Sequence, residues 1–183
     1  SILGNHEQMI LNRYDSPIFR PAYSNIFPTQ DEAIEMHECN GGMWFSGLSE
    51  SEQKNIYKIF SKLPIAITLE TEHGNIGLVH AEVPKQFKSW SDFVNALELG
   101  DIEAIDSCLW NRMAIQDNYN IYGKYLLQGK DKISRKIEGV IATFHGHTGV
   151  SQMVINENQH WIDTGHVTDE LTIVNVSSIA YKS

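Results

Sequence analysis

Three apolar runs, far apart in the chain, each end in a short polar cluster of the same character. Ile2-Leu3 leads into Gly4-Asn5-His6-Glu7, Gly77-Leu78-Val79 into His80-Ala81, and the run from Val140 to Phe144 into His145-Gly146-His147-Thr148. Each run reads as the end of a buried strand, and each cluster includes a small residue (Gly4, Ala81 or Gly146) that permits close backbone approach. Strands of this kind force their exit loops onto the rim of a sheet, where an α/β scaffold gathers its chemistry.

The rest of the pattern supports a mixed α/β fold. Glu7 to Tyr14 and Asp31 to Cys39 read as short helices, and the proline- and aromatic-rich stretch from Asp15 to Pro28 as a surface connection. Ser49, with Glu52 three residues on, predicts a capping box; Ile56, Ile59, Phe60 and Leu63 then form one apolar helical face that Pro64 ends. Ile65 to Glu70 and Asn75 to His80 read as strands paired around Glu72-His73-Gly74. Helices are expected over 89–99 and 101–108. Further strands are expected over 140–144, 150–155, 160–163 and 171–176. Alternation of this kind implies one domain over residues 1–183, its sheets packed inside helices.

Composition narrows the function classes. The formal net charge of −9, with no Lys/Arg stripe, argues against a nucleic-acid partner. A local cationic metal site inside an acidic shell still suits a phosphate substrate, because a bound ion dominates its local field. No apolar run reaches membrane-spanning length. Two distant cysteines, Cys39 and Cys108, suggest no disulfide scaffold or zinc knuckle, so a cytoplasmic location is the default expectation.

One carboxamide and two imidazoles from the three clusters fit a borderline divalent ion such as Mn, Fe or Zn. Asn5 is assigned to the metal and its neighbour His6 to proton transfer; the plainer use of Asn5 is as a helix cap before Glu7. His80 and one of His145 and His147 are the other candidate ligands. Spacing does not choose between the last two, which share a strand face. Arg112, in Trp110-Asn111-Arg112, offers a planar fork for phosphate, its plainer use being a surface salt bridge.

Taken in order, Gly4-Asn5-His6-Glu7-Gln8-Met9, Asn40-Gly41-Gly42 with Trp44-Phe45, Leu63-Pro64, Val79-His80-Ala81, Trp110-Asn111-Arg112, Gly146-His147-Thr148 and Ile162-Asp163-Thr164-Gly165 resemble the motif series of the metal-dependent PPP serine/threonine phosphoprotein phosphatases, in the bacterial and lambda-phage branch. The resemblance implies a calcineurin-like metallophosphoesterase β-sandwich flanked by helices. It implies Asn5, His80 and His147 as ligands of one of two divalent ions, most simply Mn(II), and so selects His147 over His145. It also implies His6 as general acid and Arg112, with Asn5, on the substrate phosphate. The implied reaction is direct in-line attack of a metal-activated hydroxide on phosphoserine or phosphothreonine, and on phosphotyrosine as a further substrate.

This chain departs from the family in two small ways, Gly149 after Gly-His-Thr and Glu82 after His80-Ala81. A larger departure is that the family's two upstream Asp-bearing motifs are not in this chain. It is therefore expected to correspond to the C-terminal two-thirds of a phosphatase, without the first strands of the sheet, and to need the N-terminal segment as a partner for activity. Two competing expectations are a symmetrical dinucleoside-tetraphosphate hydrolase and a non-catalytic phosphatase-like fragment that binds a partner.

Overall fold

Apolar segments bounded by capping residues divide this chain into a helical first third and a sheet-based remainder. A computed structural model describes residues 1–14, 29–116, 119–122, 125–128 and 134–179. It forms two units, Ser1–Ile65 and Ala66–Ser183. The expected connection over 15–28 lies outside the described residues.

The first unit is built from α1 (Asn5–Asn12), α2 (Gln30–His37), a wide turn over Glu38–Gly42, α3 (Met43–Ser46) and α4 (Glu50–Phe60). The Ser49–Glu52 capping box is present as expected, with Ser49 N–H donating to Glu52 Oε2 at 2.9 Å. The apolar face of α4 is only partly used. Ile59 is 61% exposed, and Ile56 and Phe60 are half-buried. Arg13, Glu38, Ser46 and Phe45 form the polar centre of this unit. Arg13 Nη2 lies 3.1 Å from Glu38 Oε1 and 2.6 Å from Ser46 Oγ, and its guanidinium sits 5.2 Å from the Phe45 ring centroid. These partners satisfy a cation that burial alone would penalise.

His37 is buried beside them. A Cβ on Gly42 would fall 2.3 Å from its ring, so only glycine admits this packing. Desolvation, reinforced by the charges of Arg13 and His6 and opposed by Glu38, lowers the His37 pKa to about 4. The fold thus holds a neutral imidazole that the unfolded chain protonates near pH 6.5. The associated stability is complete above that pH and falls away as pH drops from about 6.5 to about 4, by about 2–3 kcal/mol. Thermal melts across that interval should show the loss, and His37→Gln should flatten it. An unchanged pH slope in that variant would contradict the assignment.

The second unit holds a five-stranded mixed sheet whose strands lie side by side in the order Ala66–Thr71, Gly74–Val79, Ala142–His145, Gln159–Trp161 and Val154–Asn156. β1 (Ala66–Thr71) and β2 (Gly74–Val79) form the expected hairpin, with Ala66 opposite Val79 and Thr71 opposite Gly74. From β2 the chain crosses through α5 (Trp90–Glu98), α6 (Ile102–Trp110) and α7 (Met113–Gln116). A separate antiparallel ribbon follows, β3 (Tyr119–Tyr122) with β4 (Tyr125–Gln128). The chain then returns to the sheet as β5 (Ala142–His145), parallel to β2. β6 (Val154–Asn156) and β7 (Gln159–Trp161) complete it, with β7 parallel to β5. α8 (Gly165–Thr168) and a 3₁₀ turn over Val176–Ser178 follow.

All four residues of β5 are buried, as a central strand covered on both faces requires. Ile76, Ala142 and Phe144 pack on one another, while Ala114, Ile115, Val150, Val154 and Trp161 form a second cluster that ties α7 to the sheet. Gly77 lies under the Trp90 ring, where a Cβ would come within 2.6 Å. The expected strand over 171–176 does not form. Leu171 and Ile173 are 83% and 91% exposed, and Asn175 instead starts the 3₁₀ turn by accepting from Ser177 N–H at 3.1 Å. The architecture is mixed α/β, a five-stranded sheet flanked by helices, and is consistent with the expected metallophosphoesterase class. Among the described residues, no helix is long and apolar enough to cross a membrane.

Candidate metal and phosphate site

Parallel pairing of β2 with β5 sets the geometry of the site. Ile76, Gly77 and Leu78 face Ala142, Thr143 and Phe144, so the two strands end level with each other. Beyond their ends, Gly146 N–H donates to the His80 carbonyl at 2.7 Å. The rings of His80 and His147, both half-buried, then lie with centroids 5.0 Å apart and planes at 61°. Two imidazoles separated by 66 residues of chain are in this way brought side by side.

The His147 ring is oriented by the end of α6. Its Nε2 lies 2.9 Å from the Trp110 carbonyl oxygen. A carbonyl can only accept, so Nε2 carries the proton, and the neutral ring has its lone pair on Nδ1. Fixing one ring nitrogen by a backbone carbonyl is how proteins set the tautomer of a ligating histidine. The His147 backbone has φ of 60°, in the left-handed region that non-glycine residues seldom occupy. A costly conformation held next to another imidazole points to function rather than packing.

His145 has a different environment. Its ring is buried against Trp161, with centroids 5.1 Å apart, and its Nε2 lies 2.8 Å from Thr143 Oγ1. Desolvation, then the charges of His160 and Arg135, lowers its pKa to about 3, so it is neutral and sequestered. The residue spacing left His145 and His147 open; the structure puts His147, and not His145, beside His80.

Arg112 is exposed, just ahead of α7, and its carbonyl accepts from Gln116 N–H at 2.9 Å. Three ties hold its turn to the ends of the two histidine-bearing strands. Trp110 carbonyl meets His147, Cys108 carbonyl accepts from Ala81 N–H at 2.8 Å, and Ala114 N–H donates to Glu82 Oε2 at 2.7 Å. Glu82 is thus engaged with the start of α7, a role that its position after His80-Ala81 gave no sign of.

Asn5 and His6 belong to the first unit. Gly4, rather than Asn5, precedes α1 as its cap, and Gly4 N–H donates to Glu7 Oε2 at 2.9 Å. Asn5 is therefore the first helical residue, 6% exposed, and the plainer use as helix cap is not the one realised. His6 is exposed. Neighbouring helical positions diverge by roughly 100°, which separates the two side chains.

Among the described residues, no group of three or more His, Cys, Asp or Glu side chains stands ready to hold a metal ion. The His80–His147 pair, with ring centroids 5.0 Å apart, is the closest approach of candidate ligands within this unit.

No family model matches the chain. Two proteins of Salmonella typhimurium (strain LT2) are similar to it. Serine/threonine-protein phosphatase 2 is 26% identical over 168 residues, covering 90% of this chain and 61% of that protein. Serine/threonine-protein phosphatase 1 is 22% identical over 183 residues, covering 96% of this chain and 65% of that protein. The chain spans less than two-thirds of the length of either relative.

Proposed function

Kinship with the PPP-type serine/threonine-protein phosphatases of the bacterial branch is the premise on which we propose that this protein is a metal-dependent phosphoprotein phosphatase, hydrolysing phosphoserine and phosphothreonine monoesters in the cytoplasm. The observation that carries the proposal is the His80–His147 pair at the ends of two parallel strands, with its tautomer set by Trp110. Asn5, His80 and His147 would hold one of two divalent ions, with Mn(II) as the favoured metal. Such ions supply Lewis acidity, polarising phosphoryl oxygens and lowering the pKa of water.

The chain's own residues do the rest. Arg112 carries a fork of donors that matches two phosphoryl oxygens and neutralises the charge that grows on them. Asn5 also orients the substrate phosphate through its carboxamide. His6, exposed on the first turn of α1, donates a proton to the leaving serine or threonine oxygen. No side chain is required as a nucleophile. The Cys108 thiol is buried, and desolvation pushes its pKa up, which keeps it out of the reaction.

The test uses the full natural polypeptide with Mn(II). Phosphoserine and phosphothreonine peptides should be hydrolysed, and a chelator should remove the activity. Phosphopeptide turnover should exceed that on a dinucleoside tetraphosphate by about tenfold or more, a margin of roughly 1.4 kcal/mol. Preference for the dinucleotide would make the protein a nucleotide hydrolase. No hydrolysis of either would favour a phosphatase-like binding protein.

A further inference from the structure

Glu82 is almost completely buried, at 1% exposure, which for a carboxylate requires a structural return. It leaves β2 two residues after His80, and its Oε2 accepts the Ala114 N–H at 2.7 Å. That N–H is one of the donors at the start of α7 that the helix itself cannot pair. Ala114 and Ile115 are packed in turn against Val150, Val154 and Trp161, so the start of α7 is pinned from below by apolar contact and from the side by Glu82. Arg112 stands at the head of this helix, two residues from the Trp110 carbonyl that orients His147. The loop carrying Glu82 is itself anchored. Arg135 donates to the carbonyls of Val83 and Pro84 at 2.8 Å each and of Phe87 at 2.7 Å.

We propose that Glu82 is a positioning residue for the phosphate clamp: its hydrogen bond to Ala114 fixes the turn from Trp110 to Arg112, so that the Arg112 guanidinium is presented beside the His80–His147 pair. An exposed arginine carries large side-chain rotamer entropy, and a fixed backbone at its root removes part of the ordering cost on binding. Glu82 touches no phosphate in this scheme and acts wholly through Arg112. The proposal rests on the phosphatase assignment above, and specifically on Arg112 as the phosphate contact.

The experiment is an isothermal titration of the full natural polypeptide with orthophosphate, in micromolar Mn(II). The variants are Arg112→Ala, Glu82→Ala, Glu82→Gln and the double variant Glu82→Ala/Arg112→Ala. Arg112→Ala should weaken binding by about 30-fold, as expected for a lost charge-assisted fork. Glu82→Ala should weaken it by about tenfold, and Glu82→Gln, whose amide oxygen still accepts from Ala114, should recover most of that loss. The double variant should bind no more weakly than Arg112→Ala alone, because two groups acting as one unit are not additive. Wild-type binding in Glu82→Ala, or losses that multiply in the double variant, would overturn the positioning role. A wild-type protein that takes no phosphate would instead count against the phosphatase assignment, and an Arg112→Ala protein that takes it equally well would remove Arg112 as the phosphate contact; the positioning role falls with either.

Discussion

Replacing His147 by glycine should abolish the proposed phosphatase activity while leaving the protein as stable as before or slightly more so. Loss of an outer partner of a metal-ligating histidine commonly costs 10–100-fold in affinity or activity, so loss of the imidazole itself should cost about 100-fold or more. The stability side of the expectation comes from the backbone. His147 sits at φ 60°, where an L-residue is strained by about 1 kcal/mol or more and glycine is not. The ring is only half-buried, so its removal leaves no closed cavity. Strain kept at a site at the expense of stability is a mark of function. His145→Gln is the contrasting variant. It should weaken the fold through its contacts with Thr143 and Trp161 while leaving Mn(II) affinity within a few-fold of wild type. Metal titration and melting curves of both variants decide the matter. Unchanged Mn(II) binding in His147→Gly would remove His147 from the site.

Trp161→Ala should have the largest effect on stability. The indole is 1% exposed and packs with Ala114, Ile115, Val150 and Val154, while its backbone lies between Val154 on β6 and His145 on β5. Truncating a buried tryptophan leaves a cavity that neighbours fill only in part, and the typical cost is about 3–5 kcal/mol. Against a total stability of about 5–15 kcal/mol, that is a large fraction. For a chain of this size it corresponds to a fall of roughly 10 °C in melting temperature. Leu171→Ala, at a position 83% exposed, should shift stability by less than about 0.5 kcal/mol. Circular dichroism melts separate the two. A loss below about 1 kcal/mol in Trp161→Ala would mean that the cluster under α7 is not the keystone of the second unit.

Features with a local physical cause could be read from the sequence. Ser49 with Glu52 announces the start of α4, and Glu72-His73-Gly74 between two apolar runs announces the β1–β2 hairpin, because capping and turn chemistry act within a few residues. The His80 and His147 clusters were legible as strand ends because each closes an apolar run, but Ile2-Leu3, which carries the same signal, leads straight into α1 and forms no strand. Other features depended on what the rest of the chain provides. Leu171 to Val176 carries a strand-like apolar pattern, yet it finds no neighbour to pair with among the described residues and stays irregular. α1 starts at Asn5 rather than Glu7, because the Glu7 side chain reaches back to cap Gly4. Nothing in Gly146-His147-Thr148 says that the left-handed residue is the histidine and not the glycine. Glu82 sits beside His80 in sequence, but its carboxylate accepts from Ala114, 32 residues away, a pairing that only the tertiary path creates.

The parallel neighbours β2 and β5 also govern when the site comes into being. Antiparallel hairpins close early over short loops, whereas Gly77 meets Thr143 only after the whole crossover through α5, α6 and α7 has been laid down. The His80–His147 pair is therefore expected among the last neighbourhoods to assemble. A divalent cation captured there would act as a latch on a finished crossover, and its binding free energy would add to the stability of the completed sheet rather than to any earlier stage.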